Sequence, residues 1–292
     1  MTTEATILMC VGATKAGTTW LYRHLSAHPN CHLRTIKELH YFDTVETDGY
    51  DRQIALKVAE FDAAEEKGPG DRPWMHKRKL RDLADWAAVL ERRAEDTDAY
   101  LRYLMQDRGE KRVVGDVTPA YALLPVERLR RIARLSGDVR FVYLIRDPLA
   151  RLWSHVRMLA ARAGRGLGDL AAKAHGLMDR ALSGDLPAAT ERGDYAGALA
   201  RLDAAVAPSR LLVMFYEDLM SRPGVDRLHG FLGIGATEPN FDRRVHEGVA
   251  LELEAGHRAR ALAYLRPQYD FVARRFPALP ENWRRNMGEV HG

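Results

Sequence analysis

The stretch TILMCVGATKAGTTW, residues 6–20, constrains this chain more than any other. TILMCVG is apolar, partly β-branched, and turns at a glycine, so it reads as a buried first strand. TTWLYRHLSAHP, stopped by Pro29, reads as a helix. A glycine-rich loop is therefore pinned between a strand and a helix N-terminus. Backbone N–H groups at such a junction form an anion cradle, whatever the anion. A second strand-to-helix corner lies downstream. VRFVYLI is a near-continuous apolar run, as expected of a strand buried on both faces. RDPLARLWSHVRMLAARA follows at once, with Asp147 suited to the N-cap and Pro148 to the first helical position.

Further strands are expected at RVVGDV and RLLVMFY. Helices are expected over VERLRRIARL, DYAGALARLDAAV, the segment from EDLMSRP to FLGIG, and about 251–276. Residues 31–43 read as a second extended segment ending in LHYFD. Residues 46–110 are polar, and 82–107 carry helical periodicity with Trp86, Leu90, Leu101 and Leu104 as anchors. The glycine-rich stretch 164–193 is weakly periodic and reads as a mobile excursion. Strands alternating with helices imply a single α/β domain over 1–292, with a central, mostly parallel sheet flanked by helices. Such sheets bind ligands at the carboxyl ends of their strands.

The loop has the glycine spacing of a nucleotide triphosphatase loop, G-x-x-x-x-G-K-[ST], at Gly12 and Gly17. Thr18 occupies the lysine slot, however, and the loop's one lysine, Lys15, lies inside it. Arg146 stands after VRFVYLI, where a magnesium-binding acid would be useful. A magnesium-nucleotide kinase or NTPase is therefore the weaker reading of a loop built for a phosphate.

Two motifs carry a resemblance. KAGTTWL resembles the 5′-phosphosulfate loop of the sulfotransferases that use 3′-phosphoadenosine-5′-phosphosulfate (PAPS). RDPLARLWS resembles their 3′-phosphate motif, R-D-P-x-x-R-x-x-S. FYEDLMSRP…LHGFLG is similar to a third family segment, so the resemblance spans roughly Ile7 to Phe231 with an unmatched middle. It implies a P-loop-like fold and PAPS as donor, with adenosine 3′,5′-bisphosphate (PAP) as product. It also implies that Lys15 meets the bridging oxygen. The N–H groups of Ala16, Gly17, Thr18 and Thr19, with both threonine hydroxyls, would hold the 5′-phosphate. Arg146 and Ser154 would hold the 3′-phosphate, Arg146 by its planar fork. Trp20, and Tyr195 in RGDYAGAL, correspond to adenine-side residues; both are also good core residues. Arg151 fits the motif and lies on the Ser154 side of its helix.

KELHYFD resembles the E-x-H-F-F segment of heparan-sulfate-type and related bacterial members, which implies Glu38 as the base that takes the acceptor's proton. His40 is its rival; on an extended strand the two side chains share a face. Heparan-type members carry a lysine before S/T-P-A-Y. In GDVTPAY that slot is Val117, preceded by Asp116, so a glycosaminoglycan acceptor is not favoured. Asp116 is open to three readings: acceptor contact, tuning of a neighbour, or a loop cap.

The resemblance implies, as acceptor, a hydroxyl or amine on a carbohydrate, a lipid or a small molecule. The signature-free insertions at 44–110 and 163–192 are expected to cover its pocket. A net charge of +4, with no long basic block, suits an anionic ligand and argues against nucleic acid. Cys10 and Cys31 make no disulfide framework, and the eleven histidines show no metal-ligand spacing, so no metal is expected. No apolar run is long enough to span a bilayer, and a soluble, cytoplasmic protein is expected. A non-catalytic protein that only binds PAPS or PAP is the remaining alternative.

Overall fold

Five short apolar segments, β1 (Thr6–Gly12), β2 (Cys31–Leu33), β3 (Val113–Val117), β4 (Val139–Ile145) and β5 (Leu211–Phe215), pair in the order β2-β3-β1-β4-β5. All pairings are parallel. The structure is a computed structural model that describes residues 5–163, 170–242 and 251–291. β1 is central, running alongside β3 from Thr6↔Val113 to Cys10↔Val117 and alongside β4 from Ile7↔Val139 to Gly12↔Tyr143. Every residue of β1 and β3 is buried, as a strand covered on both faces requires. The chain leaves β1 toward one side for β2 and β3, and reaches β4 and β5 on the other. That reversal opens a crevice at the carboxyl ends of β1, β3 and β4.

Helix α1 (Thr18–Ala27) follows β1. Between β2 and β3 come α2 (Tyr41–Thr47), α3 (Tyr50–Lys67), α4 (Pro73–Leu90) and α5 (Thr97–Met105). Then α6 (Val126–Ile132) leads into β4, and α7 (Pro148–Arg162) leaves it. Helices α8 (Leu170–Ser183), α9 (Pro187–Thr190) and α10 (Tyr195–Ala205) precede β5. After it come α11 (Tyr216–Leu219), α12 (Arg222–Leu232), α13 (Ala255–Arg275) and α14 (Glu281–His291). Among the described residues no helix is long and apolar enough to cross a membrane.

Three sequence expectations need correction. The segment 31–43 is not one extended run. Its strand ends at Leu33, Glu38 and His40 both adopt left-handed φ, and Tyr41 already starts α2. The periodic run 82–107 is divided between α4 and α5. Trp86, Leu90 and Leu104 are buried there, with Leu101 packed against the core. The expected excursion at 164–193 is largely helical. Residues 164–169 lie outside those described, but α8 buries Ala174, Met178 and Ala181. Those apolar residues recur at helical spacing, a signal masked in the sequence by the surrounding glycines.

Candidate active site

The loop after β1 closes on itself before α1 begins. Ala16 N–H donates to the Ala13 carbonyl (3.2 Å), so it is spent inside the loop rather than offered to a ligand. Gly17 takes φ +96 at the N-cap of α1 and supplies no side-chain cap. A Cβ on Gly17 would lie 2.9 Å from the Tyr216 ring, so only glycine fits both the φ and the space. The first-turn N–H groups of Thr18, Thr19 and Trp20 have no intrahelical acceptor and head a helix dipole. Thr18 is buried and Thr19 half-buried.

Lys15 has φ +71, a left-handed backbone that a non-glycine residue seldom adopts. Its Nζ sits 3.8 Å from the Met158 sulfur on α7. Burial, and then the charges of Arg146, Arg162, Arg157 and Lys37, lower its pKa. Among the described residues, no carboxylate makes an ion pair with Lys15 or Arg146. Arg146 instead donates to the Lys15 carbonyl (3.2 Å) and lays its guanidinium 4.9 Å from the Tyr216 ring centroid. The result is a half-buried group of cations beside a helix N-terminus, which suits an anionic ligand.

The corner at Arg146 is tied down on three sides. Asp147 caps α7 by accepting from Ala150 N–H (2.8 Å), as its sequence position implied. Its other oxygen accepts from Tyr269 of α13 (2.8 Å) and Asn286 of α14 (2.9 Å). Burial raises the Asp147 pKa. Tyr195 is fully buried, and its hydroxyl bonds both the N–H (3.2 Å) and the carbonyl (2.5 Å) of Arg146. It has no face open to a purine. Its place is behind Arg146, which fits the core reading of Tyr195 rather than the adenine-side one.

Ser154 is half-buried on α7, two turns from the corner. Arg151 is almost fully buried and donates to the Ala189 carbonyl (2.8 Å), so it is a strut between α7 and α9. Gly193 makes room for it: a Cβ there would lie 2.5 Å from Arg151 Nε.

Trp20 is buried and stacks on His24 (centroids 5.0 Å apart) and on Phe241 (5.7 Å). Its Nε1 donates to the Asn240 carbonyl (3.1 Å). A base stacking on Trp20 has to share the ring with Phe241 or displace it.

On the opposite lip of the crevice, Glu38 bonds the Lys37 ammonium and lies 3.6 Å from His40 Nε2. His40 Nδ1 lies 2.6 Å from Asp43. The two side chains do meet, through a left-handed turn (φ +68 and +55) rather than a strand. For Glu38, burial pushes the carboxyl up, but His40 and Lys37 together bring its pKa down to about 2. For His40, burial pushes down, but Asp43 and Glu38 outweigh it and raise the value to about 9. At neutral pH His40 is therefore an imidazolium between two carboxylates. That charge favours Glu38 over His40 as the proton acceptor.

Asp116, near the end of β3, is buried. It accepts from Thr118 (2.6 Å), Tyr121 (2.8 Å) and Tyr100 (3.1 Å), and burial raises its pKa. Tyr121 in turn accepts from Tyr41 N–H (2.9 Å), and Thr118 from His40 N–H (3.5 Å). Asp116 thus anchors the turn that presents Glu38.

Sequence reasoning passed over Lys37 and Arg157 as site residues. Arg157 is one turn beyond Ser154, a spacing that places both on one face of α7. Nothing in the sequence brings Lys37 toward Lys15, because that depends on how β2 packs against β3.

A sulfotransferase family model matches residues 8–238. A sulfotransferase from Alicyclobacillus acidocaldarius shares the fold, with a TM-score of 0.62 and 21% identity. That alignment covers 96% of this chain and 99% of the other. The sulfotransferase domain of the Synechococcus PCC 7002 olefin synthase aligns with a TM-score of 0.52 and 16% identity, covering 94% and 95%. No curated protein matches the chain in sequence. With the family model spanning both strand-to-helix corners and the Glu38 turn between them, the chain belongs to the sulfotransferase family.

Proposed function

We propose that the protein transfers a sulfuryl group from PAPS to a hydroxyl or amine on a carbohydrate, lipid or small-molecule acceptor. One observation carries the reading. Lys15 is held in a strained conformation at a helix N-terminus, among further cations and, among the described residues, with no carboxylate partner. A site of that kind fits a donor with several anionic groups. A magnesium nucleotide would call for an acid near the loop, and here Arg146 occupies the corner.

In this reading Gly17, Thr18 and Thr19 hold the 5′-phosphate by N–H and hydroxyl groups. Arg146 and Ser154 hold the 3′-phosphate. Trp20 packs against the adenine, and Tyr195 positions Arg146 from behind. The acceptor oxygen or nitrogen attacks sulfur as Glu38 takes its proton. The bond from sulfur to the bridging oxygen breaks, and its electron pair stays on the phosphate, where Lys15 stabilises the charge. In its pair with Lys37, Glu38 is a weak base. Acceptor binding that draws Lys37 away raises its basicity where the proton is released.

The test uses the bisphosphate and the reaction separately. PAP at about 100 times its Kd should raise the melting temperature by about 5 °C, and Mg-ATP should not. Sulfuryl transfer from labelled PAPS to an acceptor panel should fall roughly 10²–10³-fold in Lys15→Ala. A protein indifferent to PAP does not have this function. One that binds PAP but transfers nothing across the panel is a binding protein.

A further inference from the structure

Away from the crevice, α8 and the start of α13 bring together two histidines and two carboxylates from distant parts of the sequence, His175 and Glu254 being 79 residues apart. His175 Nδ1 is 3.4 Å from one oxygen of Glu254, and His257 Nδ1 is 3.3 Å from the other. The ligand atoms of these three residues all lie within 4.8 Å of one another. Nitrogen and oxygen donors at about 2.0–2.1 Å around one tetrahedral ion stand about 3.3 Å apart. We propose that His175, Glu254 and His257 form a binding site for a divalent transition metal of the zinc type, joining α8 to α13.

Three further features fit a metal better than an ordinary ionic cluster. Glu254 occupies the N-cap position of α13 yet makes no side-chain cap bond; its carboxylate turns to the histidines instead. His257 Nε2 lies 3.2 Å from an Asp179 oxygen, within pairing distance though not aligned as a hydrogen bond, and Asp179 is held from behind by Arg260 (2.6 Å). A carboxylate on the far nitrogen is how a ligating imidazole is usually oriented, leaving Nδ1 as the donor. His175 is stacked between Trp153 (5.3 Å) and His257 (4.6 Å), so its ring plane is set before any ion arrives. Its Nε2 receives the Glu254 N–H only at 3.5 Å, the outer limit of a hydrogen bond, so the tautomer that opens Nδ1 costs little.

Two imidazoles and a carboxylate suit zinc over calcium or magnesium, which take oxygen donors. Three protein ligands leave a fourth position for water. Glu254 is two-thirds exposed, so that position faces solvent. The expectation of no metal rested on sequence spacing, and no spacing rule spans helices this far apart.

The test uses the full chain after chelator treatment. Zinc titrated by calorimetry should bind at one equivalent and raise the melting temperature. Cobalt in its place should give the visible absorption of a tetrahedral site. His257→Ala should abolish stoichiometric zinc binding and the cobalt band. Asp179→Asn, which alters the neighbour of His257 but none of the three ligands and leaves the proposed reaction machinery intact, should weaken zinc binding roughly 10–100-fold. PAP-induced stabilisation of each variant checks that it is folded. Absence of one-equivalent binding, or binding that survives in a folded His175→Ala, His257→Ala double variant, overturns the proposal.

Discussion

On one lip of the crevice, Lys15 and Arg146 are joined directly, Arg146 donating to the Lys15 carbonyl and clamped by Tyr195 from behind. On the other lip, Glu38 hangs from a turn held by Thr118, Tyr121 and the buried Asp116, and by Trp86 of α4 on the Leu39 carbonyl. The first lip consists of two strand-to-helix corners, each short and set by its own residues. The second is a product of tertiary packing, and α3 and α4 beside it carry exposed apolar side chains such as Leu56, Val58 and Trp74. In the proposed function the first lip holds the donor and the second meets the acceptor.

Three experiments test that contrast. The largest effect is expected from Glu38→Gln. It should lower kcat roughly 10²–10⁴-fold while leaving PAP affinity unchanged, because Glu38 belongs to the acceptor lip alone. A parallel loss of PAP binding would mean that the two lips are not separable. Next is Arg146→Ala. Removing a charge-assisted phosphate contact should weaken PAP roughly 10–100-fold, measured by calorimetry, with kcat altered only a few-fold. A collapse of kcat at unchanged PAP affinity would move Arg146 to the reacting bond.

The smallest effect tests the acceptor turn itself. The folded pKa of His40, about 9, lies above its ordinary 6.5, so folding stabilises the charged ring. That contribution is full below about 6.5 and fades as pH rises through 9. Glu38, at about 2 against 4.5, contributes fully above 4.5 and loses it as pH falls through 2. The melting temperature of His40→Asn should therefore trail the parent by about 1–3 °C between these limits, the pairs being partly solvated. The gap should close by pH 10; a gap independent of pH removes the imidazolium from the account.

Both strand-to-helix corners were legible because their signals are local: an apolar run, a glycine or Asp-Pro, then a helix. The Asp147 cap and the parallel sheet follow from the same signals. Glu38 and His40 were legible as neighbours but not as a charged pair, since their protonation depends on Asp43, Lys37 and burial. For Tyr195 the sequence left two readings open, because an aromatic in a motif and an aromatic in a core look alike. Its role appears only when its hydroxyl is seen on the Arg146 backbone. The helix α8 was hidden by the glycines around it, and the cluster at His175, Glu254 and His257 by the length of chain between its members.

Three of the side chains with most at stake, Lys15, Glu38 and His40, stand where the main chain would rather have glycine. Each holds that pose at a penalty of roughly 1–2 kcal/mol. An engineer seeking heat resistance by relaxing the backbone would be drawn to these very positions, and on the proposed function each gain in durability there would delete a group the reaction or its acceptor turn uses. Hardening this protein therefore has to begin elsewhere, on helices remote from the crevice.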